Sequence, residues 1–195
     1  ESIKLTTIKP SGTLSLLGGA TPGVHPAFSQ YYMRTVRMSS SDALVQICKD
    51  TGYHVEFIIN FDGTENRDTV VVYFPCKTPE GSILAKDMDV IKQLDMVKKL
   101  QTVWSDNAVS VTAYYKPEEL ESLKAWLKDN YEHNVKSVSF LLFKNHGFKQ
   151  APYQEIDEET YLSAIAKVKP MSSLVINSSD MLDMAECSSG ACPIR

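Results

Sequence analysis

The strongest constraint on the fold is the alternation of short β-rich runs with amphipathic helical segments along most of the chain. The runs "HVEFIIN" (54–60), "TVVVYF" (69–74) and "VKSVSFLLF" (135–143) are rich in β-branched and aromatic residues, as strands are. Between them, residues 87–104 repeat apolar side chains at helical spacing. Strands that alternate with helices favour a mainly parallel sheet with helices outside it, so the sequence predicts an α/β fold.

The same patterns predict the remaining elements and some of their ends. Further strands are predicted at 2–8, 31–37 and 108–115, and further helices at 41–51, 117–131 and 157–168. Ser40 or Ser41 is available to cap the helix at 41–51, and Gly52 is expected to end it. Pro117 suits the first turn of its helix, because a proline there loses no internal hydrogen bond.

Composition places the chain among ordinary globular proteins and argues against nucleic acid and membranes as its partners. Of its 195 residues, 43% are hydrophobic and 23% are charged, which is enough apolar material for one core of substantial size. The net charge of −4 does not suggest a nucleic-acid surface, which needs clustered Lys and Arg. No apolar run approaches the ~20 residues of a membrane-spanning helix, so we expect a cytoplasmic location. Glu1 begins the sequence inside a strand-like run, so we expect a piece of a longer protein.

A predicted strand, a turn of small residues and a helix start follow one another in "TTIKPSGTLSLLGG". The first N–H groups of a helix lack internal partners and the helix dipole favours negative charge there, so such a turn can hold a phosphate. Gly12 lets the backbone approach a ligand, Ser11, Thr13 and Ser15 offer hydroxyl donors, and Lys9 is a candidate counter-charge. The spacing matches neither a Walker loop nor G-x-G-x-x-G. The alternative, a turn whose hydroxyl only caps the helix, stays open.

Two of the four cysteines, Cys187 and Cys192, lie in the last nine residues, "CSSGACPIR". They belong to a Ser- and Met-rich segment, 170–195, which we expect to be a flexible arm. The small spacer residues let the pair reach disulfide distance. A disulfide that closes so short a ring would stabilise the fold by only ~2 kcal/mol. Zinc would need more ligands than the sequence places nearby. An exposed dithiol suits thiol–disulfide exchange, with two unremarkable thiols as the alternative. Cys48 and Cys76 are interpreted as buried or half-buried thiols.

Three segments together resemble the C-terminal part of the adenosylcobalamin-dependent (class II) ribonucleoside-triphosphate reductases of the monomeric type. They are "KPSGTLSLLGGATPGVHPAFSQYYMRTVR", "SVSFLLFKNHGFKQAPYQEI" and "ECSSGACPIR". The resemblance implies that residues 1–169 form later strands and helices of the second half of a ten-stranded α/β barrel. It implies that residues 170–195 form a mobile arm that carries the redox cysteine pair.

The resemblance also implies which residues take part in the chemistry. The residues that match the loop holding the substrate's phosphates are Pro10, Ser11, Gly12, Thr13 and Ser15. Cys187 and Cys192 match the pair that reduces the active-site disulfide and is recharged by thioredoxin. His146 and Lys149 lie in a family-like segment, and we assign them no catalytic role.

In this family adenosylcobalamin starts a thiyl-radical reduction of ribonucleoside triphosphates. The radical cysteine, its substrate-reducing partner and most of the cobalamin site belong upstream of this chain. The chain is therefore expected to act only with the N-terminal remainder of the reductase and to be inactive alone. A second hypothesis is a non-catalytic, phosphate-binding or scaffolding fragment of a split reductase. A neighbouring reading frame that carries the missing cysteines would favour the enzyme.

Overall fold

The structure is a computed structural model that describes residues 4–11, 15, 19–143 and 150–169. Six strands and four α-helices lie in these ranges: β1 (Tyr31–Ser39), α1 (Ala43–Asp50), β2 (His54–Ile59), β3 (Glu65–Lys77), α2 (Val90–Val103), β4 (Thr112–Tyr115), α3 (Leu120–Asn130), β5 (Ser139–Leu142), β6 (Tyr153–Glu155) and α4 (Glu158–Ile165). The mixture of strands and helices confirms the α/β class. None of these helices is long and apolar enough to cross a membrane.

Four strands form a sheet in the order β2-β3-β1-β6, and every neighbouring pair in it is antiparallel. The prediction of a mainly parallel sheet is therefore wrong for this sheet. β2 and β3 are joined by a short turn in which Asp62 accepts a hydrogen bond from the Thr64 N–H and Gly63 has a φ of 83°. So short a connection returns the chain antiparallel. The Asp-Gly pair in "FDGT" is a hairpin signal that the strand patterns alone leave out.

β3 is much longer than the predicted run 69–74 because two partner strands extend it. β1 pairs with its second half along its whole length, from Tyr31 opposite Lys77 to Ser39 opposite Thr69. β2 pairs with β3 on the other side, and its register shifts between Phe57 and Ile58. The length of a strand in this sheet is thus set by pairing across the sheet.

β4 and β5 form a separate pair that is parallel, with Thr112 opposite Ser139 and Tyr115 opposite Leu142. Helix α3 connects them, so this unit follows the strand–helix–strand order from which parallel pairing was predicted. Both strands are shorter than the predicted runs at 108–115 and 135–143. Over the described residues, the two sheets do not close into a barrel.

The segment 4–8, predicted as part of the first strand, is not a regular strand, although it lies alongside the chain that leads into β4. The Thr6 carbonyl accepts from the Asn107 N–H at 3.0 Å, and the Ile8 carbonyl accepts from the Ser110 N–H at 2.9 Å. Near the start of the segment, the Leu5 N–H donates to the Asp106 carboxylate and not to a backbone carbonyl. The segment therefore borders β4 without forming a continuous ladder.

Helix α1 is capped by Asp42 and not, as predicted, by Ser40 or Ser41. The Asp42 carboxylate accepts from the Leu44 N–H at 2.9 Å, whereas the Ser41 hydroxyl pairs with that of Ser39. A carboxylate at this position also interacts favourably with the positive end of the helix dipole. Ser and Asp have similar propensities for the N-cap position, so the sequence alone does not distinguish Ser40 or Ser41 from Asp42.

Gly52 ends α1 as predicted. Its φ is 91°, the Tyr53 N–H bonds to the Cys48 carbonyl at 2.9 Å, and the Gly52 N–H bonds to the Lys49 carbonyl at 3.1 Å. This pair of hydrogen bonds is the Schellman arrangement, which needs a residue in the left-handed region. The other predicted helices are present with shorter bounds: 87–104 contains α2, 117–131 contains a 3-10 turn at Pro117–Glu119 followed by α3, and 157–168 contains α4.

The main core lies where α2 and α3 pack on the chain through β4. Its most buried side chains are Val90, Leu94, Val97, Val109 and Ala113, with Trp126 from α3 closing one side. A second buried patch lies on β3 and α1. Cys48 is buried and Cys76 is half-buried, both as free thiols, which confirms the interpretation made from the sequence.

Candidate functional site

The proposed phosphate loop begins where the segment 4–8 turns away from β4. Pro10 and Ser11 are exposed, and Ser15 has helical backbone conformation. The Ser11 hydroxyl accepts a hydrogen bond from the Ser15 N–H at 3.0 Å, so the structure brings these two residues together. The Ser15 hydroxyl oxygen is buried and has no hydrogen-bond partner among the described residues. Gly12 and Thr13 lie outside the described residues.

Lys9 is directed away from the loop and along the chain before β4. Its ammonium group donates to the Ser110 hydroxyl at 2.7 Å and to the Ala108 carbonyl at 3.4 Å. These contacts stabilise the position where the loop departs. Lys9 therefore joins the two segments, and the structure gives no support to its interpretation as a counter-charge.

A turn that sequence analysis missed, Pro22–His25, lies directly against the start of the loop. Gly23 has a φ of 56°, and a Cβ built on it would lie 3.2 Å from both the Lys9 carbonyl oxygen and the Pro10 nitrogen. The turn is closed by a hydrogen bond from the His25 N–H to the Pro22 carbonyl at 3.1 Å. The Pro-Gly pair in "TPGVHP" was the available signal, since that dipeptide marks turns.

The His25 side chain links this turn to β4. Its Nδ1 lies 2.8 Å from the Pro22 carbonyl oxygen, and its Nε2 lies 3.0 Å from the Thr112 backbone nitrogen. A backbone N–H can only donate, so Nε2 is the unprotonated acceptor. Nδ1 consequently carries the hydrogen that is donated to Pro22. The two contacts together define one neutral tautomer of the ring.

A cavity of about 470 Å³ opens beside the turn, a size within the range typical of ligand pockets. The chain from Gly19 to Phe28 forms one wall, while Tyr32, Tyr114 and Tyr153 contribute to the others. The described loop residues Pro10, Ser11 and Ser15 are not among its walls. A second cavity, of about 590 Å³, shares part of this lining. The residues common to both are Phe28, Ala85, Tyr114 and Tyr153.

Phe28, Tyr32 and Tyr153 form an aromatic cluster on one side of the cavity. The ring centroids of Phe28 and Tyr153 are 5.3 Å apart, and those of Tyr32 and Tyr153 are 5.7 Å apart. On the sheet, the Arg34 guanidinium stacks 4.3 Å over the Tyr153 ring and donates to the Pro152 carbonyl at 2.9 Å. Such stacking holds Tyr153 in place and presents apolar ring surface to the cavity.

Burial raises the pKa of three ionisable side chains around this wall. Burial, followed by the neighbouring Cys76 thiol, raises the pKa of Tyr32 to about 12. Burial also raises the pKa values of Tyr114 and Cys76 above their ordinary values. A thiol with a raised pKa is a poor nucleophile, because the thiolate is the reactive form. The Cys76 thiol is therefore a weaker nucleophile than an exposed thiol, and the same holds for Cys48, whose pKa burial also raises.

Several residues considered from the sequence lie outside the described residues. They are Cys187 and Cys192 of the proposed redox pair, together with His146 and Lys149. Among the residues that the structure does describe, no group of three or more His, Cys, Asp or Glu side chains could hold a metal ion.

Comparison with known proteins gives a consistent result. A family model described as the ribonucleotide reductase barrel domain matches residues 3–141. A probable adenosylcobalamin-dependent ribonucleoside-triphosphate reductase from Dictyostelium discoideum is 39% identical over 200 residues, covering 100% of this chain and 26% of the relative. The adenosylcobalamin-dependent ribonucleoside-triphosphate reductase of Levilactobacillus brevis is 34% identical, with 100% of this chain and 27% of the relative covered.

The structural comparison agrees with the sequence comparison. The crystal structure of a B-12 dependent (class II) ribonucleotide reductase superposes with a TM-score of 0.72 and 31% sequence identity. The alignment covers 98% of this chain and 25% of that chain. The chain thus spans about a quarter of the length of the relatives it matches.

Proposed function

The chain belongs to the ribonucleotide reductases, and from that premise we propose that it is the C-terminal part of an adenosylcobalamin-dependent ribonucleoside-triphosphate reductase. The observation that carries the proposal is the match to such reductases over the whole of this chain. In this proposal, residues 1–169 supply later strands and helices of the second half of the ten-stranded barrel. Residues 170–195 form the redox arm, and the N-terminal remainder supplies the rest of the active site.

The first role proposed for this chain is to hold the phosphates of the substrate. The proposed residues are Pro10, Ser11, Gly12, Thr13 and Ser15. The contact between the Ser11 hydroxyl and the Ser15 N–H brings two of these residues together, although a hydroxyl that only caps a helix would make the same contact. The Ser15 hydroxyl, which has no partner among the described residues, is a further donor for an anion. Backbone N–H groups at a helix start favour a phosphate, because they lack internal partners.

The nucleoside part of the substrate is proposed to enter the aromatic-walled cavity. The turn Pro22–His25 contacts the start of the loop through Gly23 and also forms part of the cavity wall. A nucleotide whose phosphates are held by the loop therefore has ring-lined space beside it. Aromatic rings such as Phe28 and Tyr153 present flat apolar surface on which a base can stack.

The second role proposed for this chain is to deliver reducing equivalents. In this step, the Cys187 and Cys192 thiols are oxidised to a disulfide. Two electrons and two protons pass to the active-site disulfide, which becomes a pair of thiols. Thioredoxin then reduces the arm by a second exchange. The burial of Cys48 and the raised pKa of Cys76 leave the terminal pair as the candidate for this task.

Adenosylcobalamin is proposed as the cofactor, held mainly by the upstream part of the enzyme. Support comes from the relatives that match the whole of this chain, which are named as adenosylcobalamin-dependent reductases. When bound, the cofactor supplies the radical that starts the reduction.

The decisive experiment replaces both terminal cysteines in the complete enzyme. The double variant Cys187→Ser and Cys192→Ser is expected to lose multiple turnover with thioredoxin while keeping one reduction per pre-reduced active site. Ser188→Ala with Ser189→Ala is the matched control in the same segment and should keep both activities. Continued multiple turnover of the cysteine variant with thioredoxin would show that the shuttle is wrong.

A further inference from the structure

The half-buried His25 ring lies at the edge of β4, where the backbone of a neighbouring strand would otherwise pair with it. Along the chain entering β4, the Ser110 N–H is bonded to the Ile8 carbonyl. Alternate residues of an extended chain direct their N–H groups to the same edge, so the Thr112 N–H faces this edge too. The segment 4–8 has by then departed into the loop, and His25 Nε2 accepts that hydrogen bond instead, at 3.0 Å.

The turn that carries His25 is anchored from two further directions. The Val24 side chain is buried in the main core, with 4% of its surface exposed. The Val24 carbonyl accepts from the side-chain amide of Gln93 at 3.1 Å, and Gln93 on α2 is itself fully buried. Core packing, a buried amide and the imidazole therefore hold one turn from three sides.

The anchored turn supports the start of the loop. The Gly23 Cα approaches Lys9 and Pro10 so closely that a Cβ would lie 3.2 Å from backbone atoms of both. Few side chains adopt a φ of 56° readily, so glycine is favoured here for conformation as well as for space. The backbone of Lys9 and Pro10 consequently lies directly on the turn.

We propose that His25 is a positioning residue, which fixes the turn Pro22–His25 as the platform that sets the position of the phosphate loop for a ribonucleoside triphosphate. The proposal rests on the proposed function of that loop. His25 does not contact the substrate. It acts by joining the turn to the end of β4, so that the loop start at Lys9 and Pro10 is held relative to the sheet.

The test measures the KM for CTP, the kcat and the inhibition constant of inorganic tripolyphosphate, all in the complete reductase. His25→Ala is expected to raise KM and the inhibition constant about tenfold, the effect expected when a supporting hydrogen bond is lost, with kcat changed less than about twofold. Gly23→Ala should raise the same two constants, because its Cβ displaces the loop start. His133→Ala, at an exposed position, is the control and should change neither.

Conservative variants separate positioning from a general loss of structure. The amide of Gln overlies the Nε2 position of a His ring, whereas that of Asn overlies Nδ1. His25→Gln keeps an acceptor for Thr112 and should remain within about threefold of wild type, whereas His25→Asn should resemble His25→Ala. If His25→Ala does not fold, the comparison of His25→Gln and His25→Asn with Gly23→Ala still tests the proposal. Wild-type values of KM and of the inhibition constant in both His25→Gln and His25→Asn would overturn it.

Ser11→Ala distinguishes this inference from the proposed function on which it rests. A raised KM for Ser11→Ala with an unchanged KM for His25→Ala and Gly23→Ala would overturn the platform and leave the phosphate loop standing. An unchanged KM and inhibition constant for Ser11→Ala would overturn the phosphate loop itself.

Discussion

Gly52 lies so close to Lys167 that a Cβ on Gly52 would overlap the Lys167 carbonyl oxygen. The Lys169 N–H donates to the Thr51 carbonyl at 2.8 Å beside this contact. The chain after α4 is thus seated on the end of α1. Residues 170–195 follow directly, so these contacts lie just before the start of the proposed arm.

Gly52→Ala is expected to destabilise the protein more than a left-handed backbone alone explains. An alanine at positive φ costs about 1–2 kcal/mol, and here the chain at Lys167 must also move. Gly63→Ala is the matched control, since its φ is 83° and no atom of the described residues lies within 4 Å of its added Cβ. Thermal unfolding of both variants measures the difference. Equal losses of stability would show that the close approach to Lys167 contributes nothing.

A network around Glu56 predicts a dependence of stability on pH. Partial burial raises the pKa of Glu56, but hydrogen bonds from Tyr73, Gln150 and His54 outweigh it and hold the pKa below the ordinary value of 4.5. The Gln150 amide contacts both the Glu56 carboxylate and the backbone of β2, where the register shifts. Ionised Glu56 therefore stabilises the folded state.

The folded state has the lower pKa, so this stabilisation is present above pH 4.5 and is lost as pH falls through the lower pKa of the folded state. Glu56→Gln should be less stable than wild type at pH 7, and the two should converge in acid. Urea unfolding at a series of pH values measures this. Glu155→Gln, with an exposed carboxylate on β6, serves as control. A difference between Glu56→Gln and wild type that stays constant with pH would contradict a role for the charge.

Burial of the two described cysteines predicts their slow alkylation. Only 2% of Cys48 is exposed and Cys76 is half-buried, and burial raises the pKa of each thiol. Iodoacetamide at pH 7.5 should label both at least about tenfold more slowly than it does in urea. Peptide mapping by mass spectrometry measures the rates, and the proposed exchange role predicts that Cys187 and Cys192 react first. Labelling of Cys48 as fast as in the unfolded chain would contradict the buried position.

The two serines of the loop should respond differently to the same substitution. Ser11→Ala removes the acceptor of the Ser15 N–H and should cost about 0.5–1.5 kcal/mol of stability, the usual net contribution of one hydrogen bond. Ser15→Ala removes a buried hydroxyl oxygen that has no partner among the described residues, so it should leave stability unchanged or higher. Under the proposed function, both should raise the KM for the triphosphate. Differential scanning calorimetry with initial-rate kinetics measures both effects, and a large loss of stability in Ser15→Ala would show that its hydroxyl has a structural partner.

Local sequence patterns were sufficient to predict the structural features that depend on residues close together in the sequence. Helical spacing identified α2, the Gly at position 52 identified the end of α1, and the run at 31–37 identified most of β1. The strand–helix–strand order also predicted the parallel pairing of β4 with β5. Each of these features is decided by residues a few positions apart, through side-chain periodicity and the allowed φ of single residues.

The sequence by itself thus determined the α/β class, most of the helices and the motifs that resemble the reductases. The tertiary structure alone decided the order of strands in the antiparallel sheet, the length of β3, and the contacts at Lys9 and Pro10 and at Lys167. His25 meets Thr112, and Gly52 meets Lys167, across long stretches of chain. Periodicity carries no information about such pairings, because they depend on which distant surfaces the packed core brings together.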